Sequence, residues 1–306
     1  MNSEITRILD EARRAPSVLN SQPWKFRVCG NTIEVYLKRQ PELETIDPHG
    51  RLQLASCGTL VAYLSNAIRQ AGWTPRVNYF PRFEEEDLVA FVEIKDSEQK
   101  IPRESKSTLQ AQTVTESKHV TAEVLQEGLA GIASQKAATL QVHEDGSDQK
   151  LRSYFREQCG QMMDNDSFRK SLNMFLRPGQ SDHSTSYADE ALLSDRFFES
   201  NEQHHGEENM KSLPAARFLI LLTDTDNRYA WIRSGEVLGD SLMYLKEAGP
   251  FGLMALPIII NDCCRTWLQK ELGFTGFPQF VFTMKHTHQQ DHIRKRPLNE
   301  LLKYGI

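Results

Sequence analysis

The chain has no C-x-x-C pair, no excess of basic residues, no G-x-G-x-x-G after a strand and no long hydrophobic run, and each absence removes a class of function. Its five cysteines (Cys29, Cys57, Cys159, Cys263, Cys264) are odd in number and lack metal-ligand spacing. That excludes a disulfide framework or zinc site and fits reduced thiols in the cytoplasm; adjacent Cys263-Cys264 read as two packing residues. A net charge of −5 argues against a nucleic-acid or anionic-membrane surface. A membrane-spanning helix needs about 20 apolar residues, and the longest strongly apolar stretch, Pro250 to Ile260, falls short of that. The opening M-N-S-E-I-T-R has no apolar core, so no signal peptide is expected. Without a Rossmann fingerprint there is no separate dinucleotide fold to expect. His204 and His205 have no positioned third ligand and read as solvated surface residues, so no metal is expected.

What is present is the balance of a soluble globular protein, 39% hydrophobic and 25% charged in 306 residues, enough for about two domains. Residues 56–72, S-C-G-T-L-V-A-Y-L-S-N-A-I-R-Q-A-G, align on Gly58 with residues 233–249, R-S-G-E-V-L-G-D-S-L-M-Y-L-K-E-A-G, on Gly235. Both are amphipathic helices stopped by glycine. A strand precedes each, T-I-E-V-Y-L at 32–37 and A-R-F-L-I-L-L at 216–222, so the chain reads as internally duplicated. A polar stretch from Asp96 to Lys118 reads as a linker. A helix is expected from Thr121 towards Ala133, and further helix over 148–176. Residues 177–212 are polar and irregular, the pattern of a lid or a disordered loop.

The most informative run is A-R-R-A-P-S-V-L-N-S-Q-P-W-K-F at 12–26. A helix over 3–14 must end at Ala15-Pro16, and K-F-R-V alternates like a strand. Ser17, Asn20 and Gln22 then sit on a loop between helix and strand and offer hydroxyl and amide groups. A planar, heteroatom-rich ring needs such groups along its edge. Near the other end, Arg294-Lys295-Arg296-Pro297 puts cations on an extended segment. Alternate side chains there point the same way, so Arg294 and Arg296 can converge on one anion. Asp47-Pro48-His49-Gly50-Arg51 reads either as a turn opening a helix or as a ligand contact. Gly249-Pro250-Phe251-Gly252 reads either as a turn or as a close backbone approach.

The run A-P-S-V-L-N-S-Q-P-W resembles the A-P-S-x-x-N-x-Q-P-W loop of the nitroreductase family, in which it covers one face of bound FMN. With the duplication, and with L-K-R-Q-P-E-L-E-T-I-D-P-H-G-R (37–51), G-F-P-Q-F-V-F (276–282) and R-K-R-P-L-N-E-L-L (294–302), the chain looks like the Acg-type branch. The resemblance implies an α+β fold of two tandem nitroreductase-like halves, 1–105 and 106–306, forming an intramolecular pseudo-dimer with one flavin site and a lid at 177–212. It implies Pro16, Ser17, Asn20, Gln22 and Gly252 as flavin contacts and Arg294 and Arg296 as phosphate contacts, with no catalytic side chain required. The activity implied is FMN-dependent NAD(P)H oxidation, with hydride passing through flavin N5 to a small electron-poor acceptor. The family's arginine-rich phosphate motif should fall near 110–118, where this chain reads Q-A-Q-T-V-T-E-S-K, without arginine. Three readings follow: the oxidoreductase, a protein that stores or sequesters FMN, and a non-enzymatic scaffold that has lost the flavin. A monomeric pseudo-dimer or a homo-oligomer is expected in the cytoplasm, with no nucleic-acid or membrane partner.

Overall fold

The computed structural model describes residues 3–96, 121–143, 148–175, 218–249, 251–255, 260–286 and 295–303. The expected linker from residue 97 on, the expected lid and Arg294 lie outside the described residues.

Local sequence accounts for the first elements. Helix α1 (Ser3–Ala12) turns Ile8, Leu9 and Ala12 inward and stops short of Pro16. Strands β1 (Trp24–Cys29) and β2 (Thr32–Leu37) pair across a two-residue turn in which Gly30 supplies the positive φ of 58°. Helix α2 (Arg51–Gln70) is buried along most of its length, and β3 (Trp73–Tyr79) and β4 (Leu88–Asp96) complete an antiparallel sheet in the order β1-β2-β4-β3.

The later elements follow the same sequence. Helix α3 (Ala122–Ser134), capped by Thr121, leads into β5 (Ala138–His143). Helices α4 (Asp148–Asp164) and α5 (Asp166–Phe175) precede β6 (Phe218–Thr223), α6 (Arg228–Ala248) and β7 (Phe251–Ala255). Helix α7 (Asp262–Glu271), β8 (Phe277–His286) and the short α8 (Leu298–Leu301) end the chain. The second sheet, β5-β6-β8-β7, is antiparallel and repeats the strand order of the first. Even the register irregularity recurs, between Val35 and Tyr36 on β2 and between Leu221 and Leu222 on β6. The architecture is α+β.

The two long helices α2 and α6 cross where their glycines meet. A Cβ on Gly58 would lie 1.9 Å from Ile232 O, and one on Gly235 would lie 1.8 Å from Ala55 O. Ile232 and Ala55 each stand three residues before the opposite glycine, so the contact is reciprocal. Thr59 Oγ1 donates to Gly235 O at 3.1 Å across the same crossing. The arginine that opens each helix also reaches over: Arg51 Nη1 donates to Gln279 O on β8 at 2.9 Å, and Arg228 donates to Glu86 O just ahead of β4. Burial and the neighbouring Arg265 charge bring Arg51 down to about 10.

Each sheet has its own apolar core. The first gathers Trp24, Phe26, Ile33, Val35, Leu60 and Leu64, and the second Phe155, Phe218, Leu221, Val281 and Phe282. The cores exchange residues at the crossing, because Ile232 of α6 belongs to the first and Leu52 and Ala55 of α2 to the second. The chain's far end returns to the first sheet. Leu301 is buried in its core, Leu302 bridges to Phe26 in parallel, and Lys303 N donates to Phe26 O at 2.6 Å.

Candidate functional site

The loop between α1 and β1 holds the polar run singled out by the sequence, and its backbone is unusual. Leu19, Asn20 and Gln22 have φ of 47°, 49° and 45°. Left-handed backbone costs an L-residue roughly 1–2 kcal/mol, less for asparagine. Such a loop persists only if its surroundings fix it, and here they do so from three sides. Leu19 is buried against Leu43, Ile46 and Phe168, with Val18, Met162 and Ile260 beside them, so α4 and α5 hold the loop's apolar part. Helix α2 holds its backbone: Ser56 Oγ accepts from Val18 N at 3.0 Å while donating to Leu52 O at 2.7 Å. Within the loop, Ser17 Oγ accepts from Gln22 N at 3.0 Å.

The third side is the segment just before α8, some 275 residues away in sequence. Lys295 Nζ donates to Ala15 O at 3.0 Å and to Asn20 Oδ1 at 3.1 Å. Arg296 N donates to Gln22 Oε1 at 2.9 Å, and Arg296 O accepts from Arg13 Nη1 at 3.1 Å. The structure therefore brings Pro16, Ser17, Asn20, Gln22 and Arg296 into one place. Gly252 is not joined to them: it is buried in β7 opposite Lys285, and among the described residues no hydrogen bond links it to the loop. Phe251 and Gly252 of the G-P-F-G stretch are paired in β7 with His286 and Lys285, and Pro250 lies outside the described residues.

The hydrogen bonds also redistribute the roles read from sequence. Ser17 and Gln22 are engaged in holding the loop. Ser21, which the sequence did not single out, is 2% exposed, and its hydroxyl has no partner among the described residues; the same holds for the indole N–H of buried Trp24. An unmatched buried hydroxyl or N–H costs about 1–3 kcal/mol, so the run keeps polar capacity that its own fold does not use. Nothing in the sequence marks Ser21, because a serine between two polar neighbours looks like ordinary loop. Lys295 did carry a signal, since the alternation that groups Arg294 with Arg296 turns Lys295 the other way.

The second sheet has a counterpart to this loop, and it is built differently. Between α3 and β5 only residues 135–137 intervene. Lys136 Nζ there lies 2.9 Å from Glu236 Oε1 and 3.2 Å from Asp240 Oδ2, and Arg233 pairs with Glu236. In the alignment of α2 with α6, Arg233, Glu236 and Asp240 stand where α2 has Ser56, Thr59 and Tyr63. A compact ion cluster thus occupies the position where α2 meets its polar loop. Burial raises the Asp240 carboxyl, and Lys136 partly offsets this.

In the D-P-H-G-R stretch Asp47 caps α2. Its carboxylate accepts from Leu52 N at 3.1 Å and Gln53 N at 2.9 Å, satisfying the first amides of α2. Among the described residues no group of His, Cys, Asp and Glu could hold a metal ion. None of their helices is long and apolar enough to cross a membrane.

Comparison with known proteins places a segment of the chain beside nitroreductases. A Mycobacterium tuberculosis protein provisionally named an NAD(P)H nitroreductase is 39% identical over 74 residues, 24% of this chain and 22% of the relative. A second from the same organism, provisionally named NAD(P)H nitroreductase Acg, is 37% identical over 70 residues, 23% of this chain and 21% of its own length. A third, whose name assigns no function, is 34% identical over 86 residues, 27% of this chain and 25% of its own. The matches thus span about a quarter of this chain and less than a third of each relative. No family model matches.

Proposed function

We propose that this chain is a nitroreductase-like, FMN-dependent NAD(P)H oxidoreductase built as two fused halves in an intramolecular pseudo-dimer. The repeated strand order, the matching register irregularities and the reciprocal glycine contact between α2 and α6 support the fused halves. The names of the partial relatives support the reaction class. The observation that carries the proposal is the union of the 15–22 loop with the segment at 295–296, which sets the amides of Asn20 and Gln22 beside the Lys295 ammonium and the Arg296 backbone from the opposite end of the chain.

The residues suit a flavin. The loop provides Asn20 and the unmatched Ser21 hydroxyl for the heteroatom edge of a flat ring, with Pro16 and Ser17 at its entry. Among the described residues the Arg296 guanidinium has no hydrogen-bond partner, and a guanidinium fork matches phosphate oxygens. Arg294 is the second phosphate cation of the proposal, and Gly252 a backbone neighbour of the ring. FMN held there would supply the redox chemistry, the transfer of hydride through N5 from a reduced nicotinamide to a small electron-poor acceptor. The protein's part is to hold the ring and leave one face open, so no acid, base or nucleophile is demanded of it.

The test is the visible spectrum of the purified chain before and after loading with FMN and desalting, followed by anaerobic NADPH. Flavin bands at roughly 370 and 450 nm that survive desalting and bleach with NADPH are expected. Retained bands that do not bleach would point to storage of the flavin, and a chain that cannot be loaded would overturn the FMN reading.

A further inference from the structure

Strand β2 ends at Leu37, opposite Trp24, and the residues that follow run beside the end of the polar loop. Their backbone is fixed on both sides: Lys38 N donates to Pro23 O at 3.0 Å, and Gln40 N donates to Gln53 Oε1 of α2 at 2.8 Å. Just beyond, Leu43 and Ile46 pack with Leu19, so the chain from 38 to 46 borders the loop. The Arg39 guanidinium lies over the start of α2, where a Cβ on Gly50 would stand 3.1 Å from Arg39 Nη1. Gly50 also has φ of 70°, so the position asks for glycine twice. Lys38 and Arg39 are exposed, and neither charge is used inside the fold. Among the described residues the Lys38 ammonium and the Arg39 guanidinium have no hydrogen bond or ion pair, although Glu42 and Glu44 follow within a few residues.

We infer that Arg39 is a specificity-determining residue for the reductant: its guanidinium takes the ribose 2′-phosphate of NADPH, a group that NADH lacks. The inference rests on the oxidoreductase function proposed above and narrows it by naming the donor. The FMN phosphate of that function falls to Arg294 and Arg296, which leaves Arg39 for a second anion at the border of the loop. A guanidinium presents paired N–H groups that match phosphate oxygens. One already seated over Gly50 also loses less freedom on binding than a long side chain loose in solvent.

The experiment uses the full chain, loaded with FMN, as wild type, Arg39→Gln, Arg39→Lys and Lys38→Gln. One readout is the pair of dissociation constants for adenosine 2′,5′-bisphosphate and adenosine 5′-monophosphate, which need no turnover. The other is kcat and KM for NADPH and for NADH. The wild-type chain is expected to bind the bisphosphate about tenfold more tightly than the monophosphate, the worth of one charge-assisted contact, and to favour NADPH. Arg39→Gln should remove most of that preference by raising KM for NADPH, with kcat and the NADH values unchanged. Arg39→Lys should recover part of it, because the charge returns without the planar fork. Lys38→Gln takes the same charge from the neighbouring residue and should change the preference little. Equal binding of the two nucleotides by the wild-type chain overturns the inference. So does an Arg39→Gln variant that loses both donors alike, or a Lys38→Gln variant that loses as much as Arg39→Gln. If the chain retains no FMN, the flavin reading falls, and the nucleotide titrations of the unloaded chain still decide whether Arg39 reads the 2′-phosphate.

Discussion

Glu34 lies on β2, the second strand of the first sheet, with 4% of its side chain exposed, under Arg27, Tyr36 and Arg82. Burial pushes its carboxyl up, but hydrogen bonds from Arg27 and Tyr36 and the charges of Arg27 and Arg82 outweigh that and hold it below its ordinary value of 4.5. A carboxylate depressed in the folded state stabilises fully above its unfolded pKa and loses that contribution as the pH falls through the lower folded value. Glu34→Gln should therefore cost stability at pH 7 and little or nothing once the pH is well below 4.5. Urea melts at both pH values check this, and an equal loss at both would remove the charge from the explanation. The residue scale is also where the sequence was most legible at the loop and least legible in its wiring. Ser17, Asn20 and Gln22 were readable as a polar cluster because their spacing is local. That Ser17 and Gln22 would be occupied in bracing the loop was not, because Gln22's partner is the backbone of Arg296.

At the scale of elements, helices α2 and α6 were visible from their apolar period and glycine stops, and β1 from the alternation of K-F-R-V. Observed β2, Thr32–Leu37, coincides with the expected strand, and α3 begins one residue after Thr121 as the cap predicts. The glycines within the helices had a different meaning from the ones at their ends. Gly58 and Gly235 pay helix propensity for close approach of two backbones. Replacing either with alanine forces a carbonyl and a methyl together at under 2 Å, at a cost of about 3 kcal/mol or more. Because the two contacts share one crossing, separating the helices relieves both. The double variant Gly58→Ala/Gly235→Ala should therefore cost clearly less than the sum of the singles. Strict additivity in thermal or denaturant melts would show that the glycines act independently and that the crossing is not shared.

For the whole molecule, the proposed pseudo-dimer predicts how many flavins one chain takes. Among the described residues the polar loop over α2 has no equal over α6, where three residues connect α3 to β5 and Lys136, Arg233, Glu236 and Asp240 fill the matching position. Titration with FMN should saturate at one equivalent per chain; two equivalents would show that the ion cluster does not stand in place of a second flavin site. The chain's end is part of the same design. Leu301 is 1% exposed in the first core, so Leu301→Ala should cost roughly 2–4 kcal/mol. By withdrawing the anchor just beyond Lys295 and Arg296, it should also raise exchange at the Ser21 and Gln22 amides. Lost stability with unchanged exchange there would separate the anchor from the loop.

The sequence by itself determined the two long helices, α1, α3, the strands β1, β2 and β6 and the polar loop, since period, capping and proline placement act within a few residues. It carried the likeness of residues 56–72 to 233–249, in the aligned glycines and in the strand that precedes each long helix. Only the tertiary structure decided that these glycines meet each other, that Asp47 caps α2, and that Lys295 faces Asn20. It alone showed a polar loop at α2 and an ion cluster at the corresponding turns of α6. The reason is range: backbone propensity and hydrophobic period are read along the chain. Which carbonyl meets which amide across some 275 residues is settled only when two sheets and two crossing helices have packed.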